Sequence, residues 1–176
     1  SKLQMGYATG VTLQDERYPA LMMYAGILGG FPHSKLFMNV RERAGLAYYA
    51  YAHIDSALGL MTISAGINRP QYAQARAIIE EQLEAMRQGE ISAEEIMFTQ
   101  AAFRNEILSE EDGPDGLISR QVQRMLLGGG LSGPELMARL TAVRVEDIVT
   151  VGEQIALDTV FLLAGTSGDE AEEADG

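Results

Sequence analysis

The sequence predicts an α+β layered domain, with a mostly antiparallel sheet and helices packed on one face. Three observations carry that prediction. The runs "LAYYAYAHIDS" and "LGLMTISAGI" are rich in aromatic or β-branched residues and lie close enough to pair as a hairpin. Apolar residues recur at helical spacing from about residue 72 to 155, and short apolar runs stand near both ends of the chain.

Taken in order, "MGYATGVTL" alternates as a strand does. "DERYPALMMYAGILGG" then has an acidic start, a proline in its first turn and terminal glycines, the boundary signals of a helix. Ser34 can cap a second helix whose apolar face is Leu36, Phe37, Val40 and Ala44, with Gly45 as its C-terminal cap. The hairpin follows, with its turn at Gly59. In its first strand Tyr49, Tyr51, His53 and Asp55 share one face, and Tyr48, Ala50, Ala52 and Ile54 the other.

Tyr72, Ala75, Ile79, Leu83 and Met86 mark a helix that ends at Gly89. Ser92 with Glu95 forms a capping box for a long helix carrying Ile96, Phe103 and Ile107, which stops before Gly113 and Pro114. Leu117, Val122 and Met125 mark another helix. Ser132 with Glu135 caps the next, which bears Leu136, Leu140 and Val143; Ile148, Val151 and Ile155 mark the last. "TVFLLAG" reads as a buried strand closing the sheet. The predicted order is β-α-α-β-β-α-α-α-α-α-β, in one domain over residues 1–165, followed by an acidic, disordered tail over 166–176.

Composition narrows the function. The 176 residues carry 13 Lys or Arg against 25 Asp or Glu, a net charge of −12. Five of the acids (Asp169, Glu170, Glu172, Glu173 and Asp175) lie in the last eight residues. An acidic balance excludes nucleic acid as the main partner, since phosphate binding needs a basic footprint, and it suits basic peptides. Cysteine is absent, which removes disulfides, thiolate metal sites and a cysteine nucleophile, and makes the cytoplasm the expected compartment. The longest apolar run, "ALMMYAGILGGF", is too short for a bilayer, so no membrane partner is expected. The start lacks Met and the features of a signal peptide, and reads as a fragment of a longer protein.

The residues themselves offer little chemistry of their own. The two histidines, His33 and His53, stand twenty positions apart with no H-x-x-E-H pattern, so a helical zinc site with a carboxylate beside it is not supplied. The glycine runs at 29–30 and 128–130 lack a Walker lysine and the G-x-G-x-x-G order, and no G-x-S-x-G elbow is present. Arg41 and Tyr48 remain, seven residues apart across a glycine corner. Two readings stand for them. Arg41 and Arg43 complement a helix C-terminus while the tyrosines pack a sheet, or a cation and a phenol converge on one carbonyl or oxyanion.

The stretch "GILGGFPHSKLFMNVRERAGLAYYAYAHID" resembles the second half of a subunit of the pitrilysin or insulinase-like zinc metallopeptidases, which include the mitochondrial processing peptidase. The matching positions are Gly29, Gly30, Ser34, Leu36, Phe37, Arg41, Glu42, Gly45, Leu46, Ala47 and Tyr48. "GLMTISAGI", "GEISAEEIMFTQAAFRNEIL" and "LTAVRVEDIVTV" agree downstream, and the "GGFPHSKLF" variant resembles a bacterial branch of companion subunits. The resemblance implies repeated α+β domains in two halves that enclose a chamber, with zinc held by another domain and none in this chain. It implies a peptide substrate, a zinc-bearing partner domain or subunit, and Arg41 and Tyr48 as the pair that stabilises charge on the scissile carbonyl. It leaves open whether the zinc lies in the same polypeptide or in a partner. Two other functions are weighed against that one: a catalytically inactive scaffold, and a free-standing peptide binder that pairs an extended chain with a sheet edge.

Overall fold

The computed structural model describes residues 1–112 and 131–164. Strand β1 (Lys2–Ala8) leads to helix α1 (Tyr18–Ala25), which widens into a π-helical turn at Gly26–Gly30. A second π-helical segment, Phe37–Arg43, precedes the hairpin of β2 (Ala47–Asp55) and β3 (Leu60–Ile67). Helices α2 (Tyr72–Arg87), α3 (Ala93–Asp112), α4 (Gly133–Ala142) and α5 (Val145–Gln154) follow, and β4 (Ala156–Leu163) completes the described chain.

The α+β class and the antiparallel sheet are those the sequence predicts. All three strand pairings are antiparallel, in the order β2-β3-β1-β4. Leu3, Met5 and Tyr7 of β1 and Met61, Ile63, Ala65 and Ile67 of β3 are buried beneath the helices. Leu21, Met23 and Tyr24 of α1, Ile79, Leu83 and Met86 of α2, and Ile148 and Val151 of α5 complete one core. This burial is the main favourable term holding the layers together.

Local signals act as the sequence implies. Gly59 turns the hairpin at φ 65°, while Asp55 Oδ1 accepts from the amides of Ala57 and Leu58, both at 3.0 Å. Ser92 with Glu95 and Ser132 with Glu135 form reciprocal capping boxes. The predicted helix around Leu117, Val122 and Met125 lies outside the described residues, as does the acidic tail.

Two expectations are corrected. The run "TVFLLAG" belongs to the edge strand β4 and is not buried: Phe161 is 53% exposed and Leu163 57%. An apolar run looks the same in sequence whether its neighbours cover it or not. The second correction concerns Tyr48. Ala47 opposes Ile67 while Tyr49 opposes Gly66, so Tyr48 sits in a β-bulge and breaks the two-residue alternation. It is exposed, whereas Ala50 and Ala52 face the core.

Candidate functional site

Ser34 starts the segment that carries Arg41: its Oγ accepts from the Phe37 amide at 3.5 Å, and its carbonyl accepts from the Met38 amide at 2.9 Å. Leu36 and Val40 are fully buried and anchor the segment on the core. The turns are wide: the Ala44 amide donates to the Asn39 carbonyl at 3.2 Å and the Leu46 amide to the Val40 carbonyl at 3.1 Å. Gly45, at φ 62°, then takes the left-handed conformation that reverses the chain into β2.

This geometry separates the two arginines. Arg43 donates to Asn39 Oδ1 at 2.9 Å, and Asn39 donates in turn to Gln82 Oε1 at 2.7 Å, which ties the segment to α2. Arg41 has no such tie. Its guanidinium lies over the Phe37 ring at 4.6 Å, with Glu42 Oε1 3.6 Å from Nε, and its side chain is 43% exposed. The ring fixes the stem of a cation whose donors remain available.

Arg41 lines a groove of about 250 Å³ with Gly29, Phe31, Phe37, Tyr49 and Tyr51. It is the one charged residue of that lining. The Tyr49 and Tyr51 rings are 5.7 Å apart and form an aromatic wall. Both π-helical segments contribute residues, and such wide turns recur at functional positions because they push side chains off the ordinary helical spacing. Chemically the groove offers a delocalised cation with several donors, suited to carbonyl or carboxylate oxygens, beside apolar surface.

Tyr48 is not part of the groove lining. It projects from the bulge, 71% exposed, and its hydroxyl donates to Asn68 Oδ1 at 3.3 Å. The two residues singled out from the sequence thus flank the Gly45 corner, but the tyrosines that share the groove lining with Arg41 are Tyr49 and Tyr51. Those two, with Phe37, are the residues that sequence reasoning missed. The signal was present in the strand alternation, which puts Tyr49 and Tyr51 on one face.

The described residues do not fit zinc. His33 Nε2 is 3.0 Å from Thr99 Oγ1, its ring stacks on Phe31 at 5.5 Å, and Phe98 meets it edge-on at 5.9 Å. Desolvation holds the His33 pKa below its usual value, opposed by the Glu95 carboxylate. His53 lies exposed on the outer sheet face, and no three His, Asp or Glu side chains cluster among the described residues. No described helix is long and apolar enough to cross a membrane.

Comparison with known proteins matches this architecture. Residues 1–103 match the family model described as the peptidase M16 inactive domain. A Bacillus subtilis (strain 168) protein named "Probable inactive metalloprotease YmfF" is 42% identical over 95% of this chain and 39% of its own length. A second protein of that strain, named "Uncharacterized zinc protease YmxG", is 27% identical over 91% of this chain and 40% of its own. A crystal structure of a conserved protein from Enterococcus faecalis V583 superposes with a TM-score of 0.86 at 37% identity, covering 91% of this chain and 38% of that one. The chain thus spans about two fifths of the length of these relatives. With residues 1–103, more than half of its length, matched, the chain belongs to the peptidase M16 inactive domain family.

Proposed function

We propose that this domain is a catalytically inactive wall of an M16 peptidase assembly, which packs against a zinc-bearing peptidase domain or subunit and helps to enclose a peptide. One observation carries the reading: Arg41 is held half-exposed over Phe37 in an aromatic groove, while its neighbour Arg43 is tied into the fold. A cation fixed in that way, with donors unspent, is suited to binding an acceptor on an extended chain. The matched family description and the name of the 42% identical relative support inactivity of the domain itself. The lack of cysteine is compatible with the cytoplasm, which the reading adopts.

A second reading shares the assembly and adds catalysis. In it Arg41 and Tyr48 together stabilise the carbonyl oxygen of the scissile bond. The exposure of the Tyr48 phenol favours this, because its hydroxyl can turn from Asn68 to a substrate. The relative named as a zinc protease is also compatible with it.

Co-expression of the full-length protein with its M16 partner tests both readings. The pair is expected to co-purify and to bind an extended peptide, with binding weakened by Arg41→Ala while circular dichroism stays unchanged. Peptide hydrolysis by the 176-residue domain alone, or peptide binding indifferent to Arg41→Ala, overturns the first reading. The second requires Arg41→Ala and Tyr48→Phe each to lower turnover by roughly 10²–10³, the effect of losing one oxyanion donor. Unchanged cleavage in both variants removes it.

A further inference from the structure

The two edges of the sheet are finished differently. On the core face of β2, one of the two edge strands, the Gly26–Gly30 turn packs so closely that a Cβ on Gly29 would come within 2.5 Å of the Ala52 amide nitrogen. The bulge at Tyr48 bends the start of the same strand. A bulge of this kind is one means by which a sheet avoids adding a further strand. At the β4 edge no other described strand pairs beyond it, and its eight residues include no Pro, Lys or Arg and one acid, Asp158.

The faces of β4 are open as well as its edge. Val160 pairs with Met5 and Leu162 with Leu3, so both point toward the core, yet each is only half-buried while Met5 and Leu3 are fully buried. On the other face Phe161 and Leu163 are exposed, and Leu157, which pairs with Tyr7 beyond a register shift, is exposed too. A sheet that ended here in its working form would leave an apolar strand as a template for uncontrolled pairing.

We propose that β4 is an internal strand of the working protein: its free edge pairs with an extended, apolar segment supplied by polypeptide outside these 176 residues. The curated relatives are about two and a half times as long as the stretch they share with this chain, so each has polypeptide outside that stretch from which such a segment could come. A second copy is disfavoured by charge. Each chain carries −12, and five acids follow β4 in the last eight residues, so antiparallel pairing of two β4 edges would bring acid-rich ends toward Glu153 and Asp158. The proposal rests on the reading that this domain works within a larger M16 protein, but not on any role for Arg41.

Hydrogen exchange on the longer natural polypeptide, read by NMR or mass spectrometry, tests it. The β4 amides that give no bond to β1 are expected to exchange about 100-fold or more slowly than in the 176-residue chain, independently of dilution. Phe161→Lys, which leaves the β1 ladder in place, is expected to erase part of that protection, whereas Met97→Lys on exposed α3 is not. Fast exchange in the longer polypeptide overturns the proposal, as does protection lost on dilution, which would indicate a second copy. Equal protection in the 176-residue chain also overturns it, since the cover would then lie within that chain. Loss of peptide binding in Arg41→Ala with β4 still protected would separate this inference from the groove.

Discussion

The guanidinium carbon of Arg41 lies 4.6 Å from the centre of the Phe37 ring, one turn away on the same π-helical segment. That contact holds the groove's one charged side chain in place without consuming its donors. Removing the ring with Phe37→Leu should preserve the apolar volume at the segment while releasing the cation. At a half-exposed site the contact contributes ~0.5–1 kcal/mol, so peptide affinity should fall about two- to fivefold, less than in Arg41→Ala. Titration of a labelled extended peptide measures this, and equal affinity in Phe37→Leu and wild type would show that the ring does not position the cation.

The two glycines at 29 and 30 should respond oppositely to the same methyl group. A Cβ on Gly29 meets the Ala52 amide nitrogen at 2.5 Å and the Ala52 methyl at 3.0 Å, and backbone cannot step aside as a flexible side chain does. Gly29→Ala should destabilise the fold by ~1–3 kcal/mol, as overpacking does, and shift β2 away from the groove. A Cβ on Gly30 finds nothing closer than the Ala25 carbonyl oxygen at 3.4 Å. Gly30→Ala should be neutral or stabilise by up to ~1 kcal/mol through the unfolded chain. Urea unfolding midpoints distinguish the two, and similar midpoints would mean that the turn does not hold the strand.

This pair marks the limit of what the sequence discloses. Periodicity finds α2 and α5 because Ile79, Leu83 and Met86, and Ile148 and Val151, all face one core. Capping boxes locate α3 and α4 because Ser92 with Glu95 and Ser132 with Glu135 satisfy local donors. Arg41 was legible through its motif, but its separation from Arg43 was not, since Asn39 meets Gln82 across 43 positions. The bulge at Tyr48 and the openness of β4 depend on strand register and on neighbours, which local patterns do not encode.

His33 gives the fold a pH dependence of predictable sign. Its ring is enclosed by Phe31, Phe98 and the Thr99 hydroxyl, and desolvation lowers its pKa from the ordinary 6.5, against the pull of Glu95. Lys35 Nζ is 2.9 Å from that same carboxylate, which blunts the pull. A depressed histidine pKa means that the unfolded chain binds more protons as pH falls below about 6.5, so the contribution to stability is lost in that direction. The difference in melting temperature between wild type and His33→Gln should therefore change against the wild type between about pH 7 and 5. Parallel curves over that range would show that the site does not discriminate against the charged ring.

Tyr24 is fully buried, and its hydroxyl has no hydrogen-bond partner among the described residues. Burial pushes its ionisation well above the ordinary tyrosine range, with Tyr7 adding to the rise and Arg87 opposing it, so the phenol stays neutral at physiological pH. The ring is close-packed: a Cβ on Gly152 of α5 would lie 2.8 Å from Tyr24 Cε2. Tyr24→Phe keeps this ring and deletes only the uncompensated hydroxyl. Because an unpaired buried polar group costs ~1–3 kcal/mol, part of it returned by contacts around the oxygen, the variant should be as stable as wild type or more so, by up to ~1 kcal/mol. Chemical denaturation decides the matter, and a loss of more than about 1 kcal/mol would mean that the hydroxyl is hydrogen-bonded, as by an ordered water.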